Sequence, residues 1–372
     1  MCKNTSKLYL ALLKIILMKL RNYLGLILVL LVCVACPNND DDLIEVPVRD
    51  RGEQSVEDDE LLVEYLSTHF YNYEEFENPP ADFDYKIVFD TIAGDNSDKT
   101  PLINRPELKK KQYNRFDTDN SLYILQVREG SGVEPVATFT DSTLIAYEGF
   151  NLYGETFDAT VNPIWLNLPT TIDGFANGLG TSVNLLSTVS EDNNVGFGGA
   201  SGFTVEPDGT TSFNQDYGVG AVFVPSGLAY FNQPPADISL YGSIVFTFSV
   251  FDVVITDHDG DGIITINEDI DNNGFLFDEA DNPDGDAVPA FRDPNDDNDG
   301  ILTKLETVTD EDGNFVSLLD TDGDGINDHL DTDDDGDGRP TIDEIIVNTL
   351  TGEITYTDTD GDGTPDYLDS DS

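Results

Sequence analysis

The residue types that most often carry enzyme chemistry are scarce here. The chain has three cysteines, Cys2, Cys33 and Cys36, all in its first tenth. Its three histidines, His69, His258 and His329, are scattered. Neither set has the spacing of a zinc site or of a thiol nucleophile with its base. Basic residues are also few: 18 Lys and Arg stand against 73 Asp and Glu, a net charge of −55. That balance argues against nucleic acid and anionic lipid surfaces as partners and favours cations. The acid is unevenly placed, since 37 of the acidic residues and three of the basic ones follow Thr256. A length of 372 residues allows two or three domains.

The amino terminus reads as an address. Lys19 and Arg21 precede an apolar run from Leu24 to Val34, the size of a signal-peptide core and short for a membrane span. The run ends in Val34-Ala35-Cys36, which resembles a bacterial lipobox, with Cys33 where leucine is usual. Met18 makes a better start than Met1. The resemblance implies that residues 1–36 are a signal peptide, with lipid on Cys36 holding the mature chain to a membrane. The competing reading is an uncleaved anchor helix. Asp40 to Asp42 resemble the acidic tether of lipoproteins sent to the outer surface. The expected location is the cell envelope, at the outer membrane or exposed on it. Cleavage would leave Cys36 as the sole cysteine and preclude an intrachain disulfide.

Residues 37–116 read as a tether and an N-terminal helical segment. Ser55 as N-cap, Asp58 three residues on, and Leu61, Leu62, Tyr65 and Leu66 at helical spacing predict a helix over 56–69 that packs against a neighbour. Residues 75–115 read as an irregular connector with a strand at Tyr85–Phe89. From Ser121 the texture changes. SLYILQV, STLIAY and SIVFTFSVFDV are β-rich, and IDGFANGL between them is helix-sized. The fold class is therefore α+β, built on an antiparallel sheet.

Five blocks in order carry a resemblance: LYILQVREGSG, TLIAYEGFNLYGETFDAT, IDGFANGL, VPSGLAYF and ISLYGSIVFTFSV. Over 117–256 the chain resembles an FKBP-type peptidyl-prolyl cis–trans isomerase domain. The resemblance implies a half-wrapped sheet with one short helix and an apolar cleft for a prolyl ring. It implies site roles for Tyr147, Phe157, Asp158, Ile172 (through its backbone amide), Phe175 (the cleft floor), Tyr230, Ile238 and Phe246. Trp165 lies near the family's bulge aromatic. Proline-containing polypeptides would be the clients. The chemistry suits these residue types, because Xaa-Pro isomerisation breaks no covalent bond. Its barrier of about 18–20 kcal/mol is lost amide resonance. A dry apolar slot favours the twisted, less polar amide over the planar one. Three departures stand out: Phe175 where tryptophan is commonest, Phe231 where glycine is usual, and an insert near 183–215.

The last third, 257–372, repeats with a period of 38 residues: DGDGIITINE from Asp259, DNDGILTKLE from Asp297 and DGDGRPTIDE from Asp335. NPDGDAVPAFRD, DTDGDGINDHLD and DTDGDGTPDYLD, starting at Asn282, Asp320 and Asp358, share that period. Alternating oxygens around a glycine let one short loop wrap a large hard cation. The candidate calcium ligands of the first loop are Asp257, Asp259, Asp261, the carbonyl of Ile263, and Glu268. Those of the next are Asn295, Asp297, Asp299 and Glu306, and of the third glutamate-ended loop Asp333, Asp335, Asp337 and Glu344. Two loops end in aspartate: Asp320, Asp322, Asp324, Asp328 and Asp331; and Asp358, Asp360, Asp362, Asp366 and Asp369. The array resembles thrombospondin type-3 repeats, which implies structural calcium in place of a hydrophobic core and little regular structure.

Two functions are consistent with these features. One is a lipid-anchored envelope prolyl isomerase with a calcium-ordered tail. The other is a non-catalytic surface adhesion or interaction protein, in which the cleft binds peptide without turnover.

Overall fold

The computed structural model describes residues 47–133, 135–160, 162–181, 195–311, 315–348 and 350–372. The expectations for the signal segment, Met18, Cys36 and the first part of the insert lie outside the described residues. The chain divides into two units, Met1–Val48 and Arg49–Ser372, and the described helices and strands all belong to the second. Among the described residues no helix is long and apolar enough to cross a membrane.

Helix α1, Arg51–Thr68, starts five residues earlier than its sequence spacing predicts. Asp50 is the N-cap, its Oδ1 accepting from the Glu53 amide at 3.0 Å. Ser55 cannot cap because its hydroxyl donates to the Asp119 carbonyl. Gln54, Asp58, Leu62, Tyr65 and Leu66 form the buried face, at the spacing of one helical stripe. Burying each of Leu62 and Leu66 contributes roughly 2 kcal/mol. The chain then forms β1 (His69–Tyr71), the five-residue helix α2 (Tyr73–Glu77) and β2 (Phe89–Thr91), with β1 and β2 paired antiparallel. The predicted strand at Tyr85–Phe89 is therefore displaced; Tyr85 has φ of +56°, which ends any extended run.

The main sheet has seven antiparallel strands: β3 (Leu108–Arg115), β4 (Thr118–Arg128), β5 (Ser142–Asn151), β6 (Thr156–Ala159), β7 (Ile164–Asn167), β10 (Gly218–Val224) and β11 (Ile244–Val254). The order is β3-β4-β10-β11-β5-β6, with β7 also on β5. Strand β3 occupies part of the segment read as a connector. The fold is mixed and mostly sheet.

Alternation along the strands builds two cores. Leu122 and Ile124 of β4, Val222 and Val224 of β10, and Phe246 and Phe248 of β11 face one way. Tyr123, Leu125, Ala221, Phe223 and Val245 face the other and bury the stripe of α1. The first face is covered by helix α3, Asp173–Leu179. This helix lies close on β10 through two glycines. A Cβ on Gly174 would stand 2.2 Å from Val224 Cγ1, and one on Gly178 would stand 2.3 Å from Val222 Cγ2.

The described limb of the insert belongs to the core. Val195 and Phe197 are buried with α3 and the sheet, and Phe197 meets Phe248 edge-on at 4.8 Å. Beyond it, β8 (Phe203–Val205) and β9 (Thr211–Phe213) form a small hairpin.

The acidic third is a chain of loops punctuated by single 3-10 turns. Two hairpins recur with the repeat: β12 (Thr307–Thr309) with β13 (Phe315–Leu318), and β14 (Ile345–Val347) with β15 (Ile354–Tyr356). Apolar packing there is thin, centred on Ile301, Ile345 and Tyr367. The start of the array is different, since Ile266, Phe275, Leu276 and Phe291 join the core under the sheet.

Candidate functional site

A cleft of about 350 Å³ opens between α3 and the sheet, lined by Tyr147, Asp158, Leu166, Thr170, Thr171, Ile172, Phe175, Tyr230 and Phe246. That size suits a small ring with flanking backbone. Phe175 forms the floor, 3% exposed, edge-on to Phe246 at 4.9 Å and to Tyr147 at 5.9 Å. Edge-to-face packing fixes each ring and leaves apolar faces toward the opening.

Ile172 is the N-cap of α3, with φ −70° and ψ 144°. Its carbonyl accepts from the amides of Phe175 and Ala176. Its own amide donates to no group among the described residues, as expected at a helix start. A donor on the cleft lining is thus available to a peptide carbonyl. On the opposite wall the Tyr147 hydroxyl donates to Asp158 Oδ2 at 2.7 Å. Burial, then Asp158, pushes the Tyr147 phenol up to about 12. Tyr230 is raised by the same two causes. Both phenols are therefore neutral donors at physiological pH.

Six of the eight residues assigned from the sequence line this cleft. Phe157 is not among the lining residues and packs edge-on against Phe246 at 5.5 Å. Ile238 is buried in the same core but borders a separate groove with Leu61, Tyr65 and Tyr153. Trp165 is half exposed on β7 and does not line the cleft. Leu166, Thr170 and Thr171 line it without any sequence signal; they follow from β7 pairing onto β5 and from the turn into α3.

The departures resolve locally. Phe231 adopts φ of +47°, the region a glycine would take. Its ring is not part of the cleft lining and packs on Tyr241 at 5.0 Å with the Arg51 guanidinium 4.1 Å above it.

The acidic loops bring carboxylates together, and each glycine before the seventh position has φ near +100°: Gly262, Gly300, Gly325, Gly338 and Gly363. Three groups could hold a cation around the first two glutamate-ended loops: Asp257, Asp259 and Asp261; Asp261, Glu268 and Asp296; and Asp297, Asp299, Glu306 and Asp334, in each of which the ligand atoms lie within 4.8 Å. Both carboxylate oxygens of Glu268 and of Glu306 are buried without a hydrogen-bond partner. Burial, then the neighbouring carboxylates, pushes each of these glutamates up to about 10. Asp296 and Asp334 were not assigned from the sequence, because each comes from the loop after the one it completes.

Ile263 is buried, and its amide donates to Asp261 Oδ1 at 2.7 Å. The Asn295 Oδ1 is buried without a partner, as are Asp333 Oδ1 and Asp335 Oδ2. Asp337 Oδ1 accepts from the Arg339 amide, and Glu344 pairs with Arg339 at 3.0 Å. The aspartate-ended loops are tied internally. Asp328 accepts from the Thr321 amide and hydroxyl, and Asp366 does the same with Thr359. Asp320, Asp322 and Asp324, and Asp358, Asp360 and Asp362, accept from amides of their own loops, while the closing Asp331 and Asp369 accept from the amides of Asp333 and Asp371 just beyond them.

No family model and no curated protein matches the chain. Solved structures that align with it include a peptidyl-prolyl cis-trans isomerase from Pseudomonas syringae, 16% identical over 40% of this chain and 83% of that one, with a TM-score of 0.26. FkpA from Escherichia coli is 17% identical over 41% of this chain and 54% of its own, with a TM-score of 0.27. The N-terminal domain of FKBP42 from Arabidopsis thaliana is 14% identical over 36% of this chain and 86% of that one, with a TM-score of 0.25.

Proposed function

We propose that the protein is an FKBP-type peptidyl-prolyl cis–trans isomerase of the cell envelope, lipid-anchored through Cys36, with a carboxylate-rich tail ordered by calcium. The observation that carries the isomerase reading is the cleft. An apolar aromatic floor, Phe175 with Phe246, shares the lining with Ile172, whose amide has no acceptor of its own among the described residues. A prolyl ring on Phe175 would leave water, and the Ile172 amide would hold a flanking carbonyl. The twisted imide loses charge separation, so such a slot favours it over the planar ground state. Neither proton transfer nor a nucleophile is required. The calcium reading rests on the buried, unpartnered oxygens of Glu268 and Glu306 and on groups of carboxylates whose oxygens lie within 4.8 Å of one another.

Ile172→Pro is the sharpest test. Its φ of −70° already suits proline and Thr171 is extended, with ψ of −178°, so the substitution deletes the donor with little backbone cost. In an assay on Xaa-Pro peptides, kcat/KM should fall about a hundredfold, and Ile172→Val should stay near wild type. Wild-type protein without acceleration would sink the isomerase reading. The array, with 37 of the 73 acids, favours a second reading: a non-catalytic surface interaction protein whose cleft binds proline-containing peptide. Peptide binding without turnover would select it.

A further inference from the structure

One acidic loop lies outside the 38-residue repeat. Residues 269–281 read DIDNNGFLFDEAD, and the positions 38 residues after Asp269, Asp271 and Asp281 are Thr307, Thr309 and Leu319. Asp269, Asp271 and Asn273 stand at alternate places before Gly274, whose φ is +86°. One carboxylate oxygen from each of Asp269, Asp271 and Asp281 lies within 4.8 Å of the others.

Two of these three aspartates are buried to 1% exposure or less, Asp269 and Asp281. Asp269 accepts from the amides of Asn273 and Gly274, both at 3.0 Å. Asp281 Oδ1 accepts from the Ile270 amide at 2.7 Å. Its Oδ2 is buried with no partner at all. An unpartnered buried carboxylate oxygen beside two more carboxylates is costly unless a cation sits among them. Oxygen donors only, on a loop with a glycine turn, select calcium over softer metals.

The position of the loop sets it apart from the repeats. The carbonyl of Gly274 accepts from Asn177 Nδ2 at 2.9 Å, and the same nitrogen reaches the Asp173 carbonyl at 3.2 Å. Phe275 meets Tyr113 at 6.2 Å and lies 4.3 Å beneath the Arg115 guanidinium. Arg115 Nε in turn donates to Asp173 Oδ2 at 3.0 Å. Both ends of α3 are therefore tied to this loop, and α3 carries Phe175 and has Ile172 as its N-cap.

We propose that Asp269, Asp271 and Asp281 bind a calcium ion and that filling this site orders α3, and with it the floor and the amide donor of the cleft. The consequence for turnover rests on the isomerase reading; the site and the ordering of α3 do not.

Hydrogen exchange on the full chain, with calcium and with chelator, tests it. Calcium should slow exchange about tenfold at 273–276 and at 173–179. Asp281→Asn, which keeps the Oδ1 acceptor for Ile270, should lose the slowing at both segments while residues 301–309 keep theirs. Asp271→Asn, at an exposed position, should do the same and guards against a folding defect in the first variant. Equal slowing in wild type and both variants would overturn the site. Loss at 273–276 with unchanged slowing at 173–179 would overturn the link to α3. Absence of isomerase activity in every form would count against the isomerase reading, and the exchange data would still decide the site.

Discussion

Asp58 and Ser226, 168 residues apart, are joined by two hydrogen bonds: Asp58 Oδ2 accepts from the Ser226 amide at 2.8 Å and from its hydroxyl at 2.7 Å. Gln54 Nε2 supplies Oδ1 at 2.9 Å. Burial pushes the Asp58 carboxyl up, against the pull of these bonds. Ser226 opens the turn that leads to Tyr230, so α1 braces the cleft from the far face of the sheet. Asp58→Ala would leave a buried amide and hydroxyl unpaired, and the expected loss is about 3 kcal/mol in urea unfolding. Asp58→Asn keeps an acceptor and should lose less.

The phenol of Tyr147, held up to about 12, stays protonated across the working range. Isomerase kcat/KM should therefore be flat between about pH 6 and pH 9, in contrast to the bell of an acid–base enzyme. Tyr147→Phe keeps the ring packed on Phe175 and Phe246 and removes the bond to Asp158. A loss of about three- to tenfold in kcat/KM is expected, with the profile still flat. A step in the wild-type profile that disappears in Tyr147→Phe would contradict this assignment.

Lys111 gives a pH signature of stability. It is buried, donates to the Val195 carbonyl at 3.2 Å, and burial pushes it down to about 8. Between pH 8 and its unfolded value near 10.4 the unfolded chain binds the proton and the folded one does not, so stability rises with pH in that window. Below it the buried charge costs the fold about 3 kcal/mol. Lys111→Met should be more stable relative to wild type at pH 7 than at pH 10. Denaturant unfolding at both values reads the difference, and a pH-independent difference would remove the buried-charge account.

Asp296 and Asp334 each stand within 4.8 Å of carboxylates of the preceding loop, so the calcium reading predicts cooperative uptake along the array. Asp334→Ala should weaken calcium binding at the 295–306 loop about tenfold and lower the Hill coefficient of a circular-dichroism titration. Removing calcium from wild type should lower the melting temperature of the array more than that of the sheet, whose core is apolar.

Much of the fold is legible in the sequence, for physical reasons. The β-rich runs of β4, β5 and β11 announce the sheet, whereas β10, GVGAVFV, is buried on both faces and carries no alternation to read; IDGFANGL carries both Ile172 and Phe175 because a short helix places them together. The sequence misplaces the start of α1, since Asp50 and Ser55 are both cap residues and only the distant Asp119 carbonyl decides between them. Strand β3 is hidden because LKKKQYNR looks solvated; its exposed lysines belong to an edge. The cross-loop donors Asp296 and Asp334 and the cleft residues Thr170 and Thr171 depend on contacts that spacing along one segment does not encode. His258 occupies the position 38 residues before Asp296 and bonds to Asn167 and Thr265 instead, so even the repeat is interrupted where it meets the sheet.

Strand β3 also sets where the molecule can be cut. A fragment beginning at residue 117 would strip the charged lysines from the rim and leave β4, with Leu122 and Ile124 on one face and Tyr123 and Leu125 on the other, as a bare template. Such a fragment would recruit further copies of itself strand to strand. Its insolubility would say nothing about the cleft, and soluble excision must begin before Leu108.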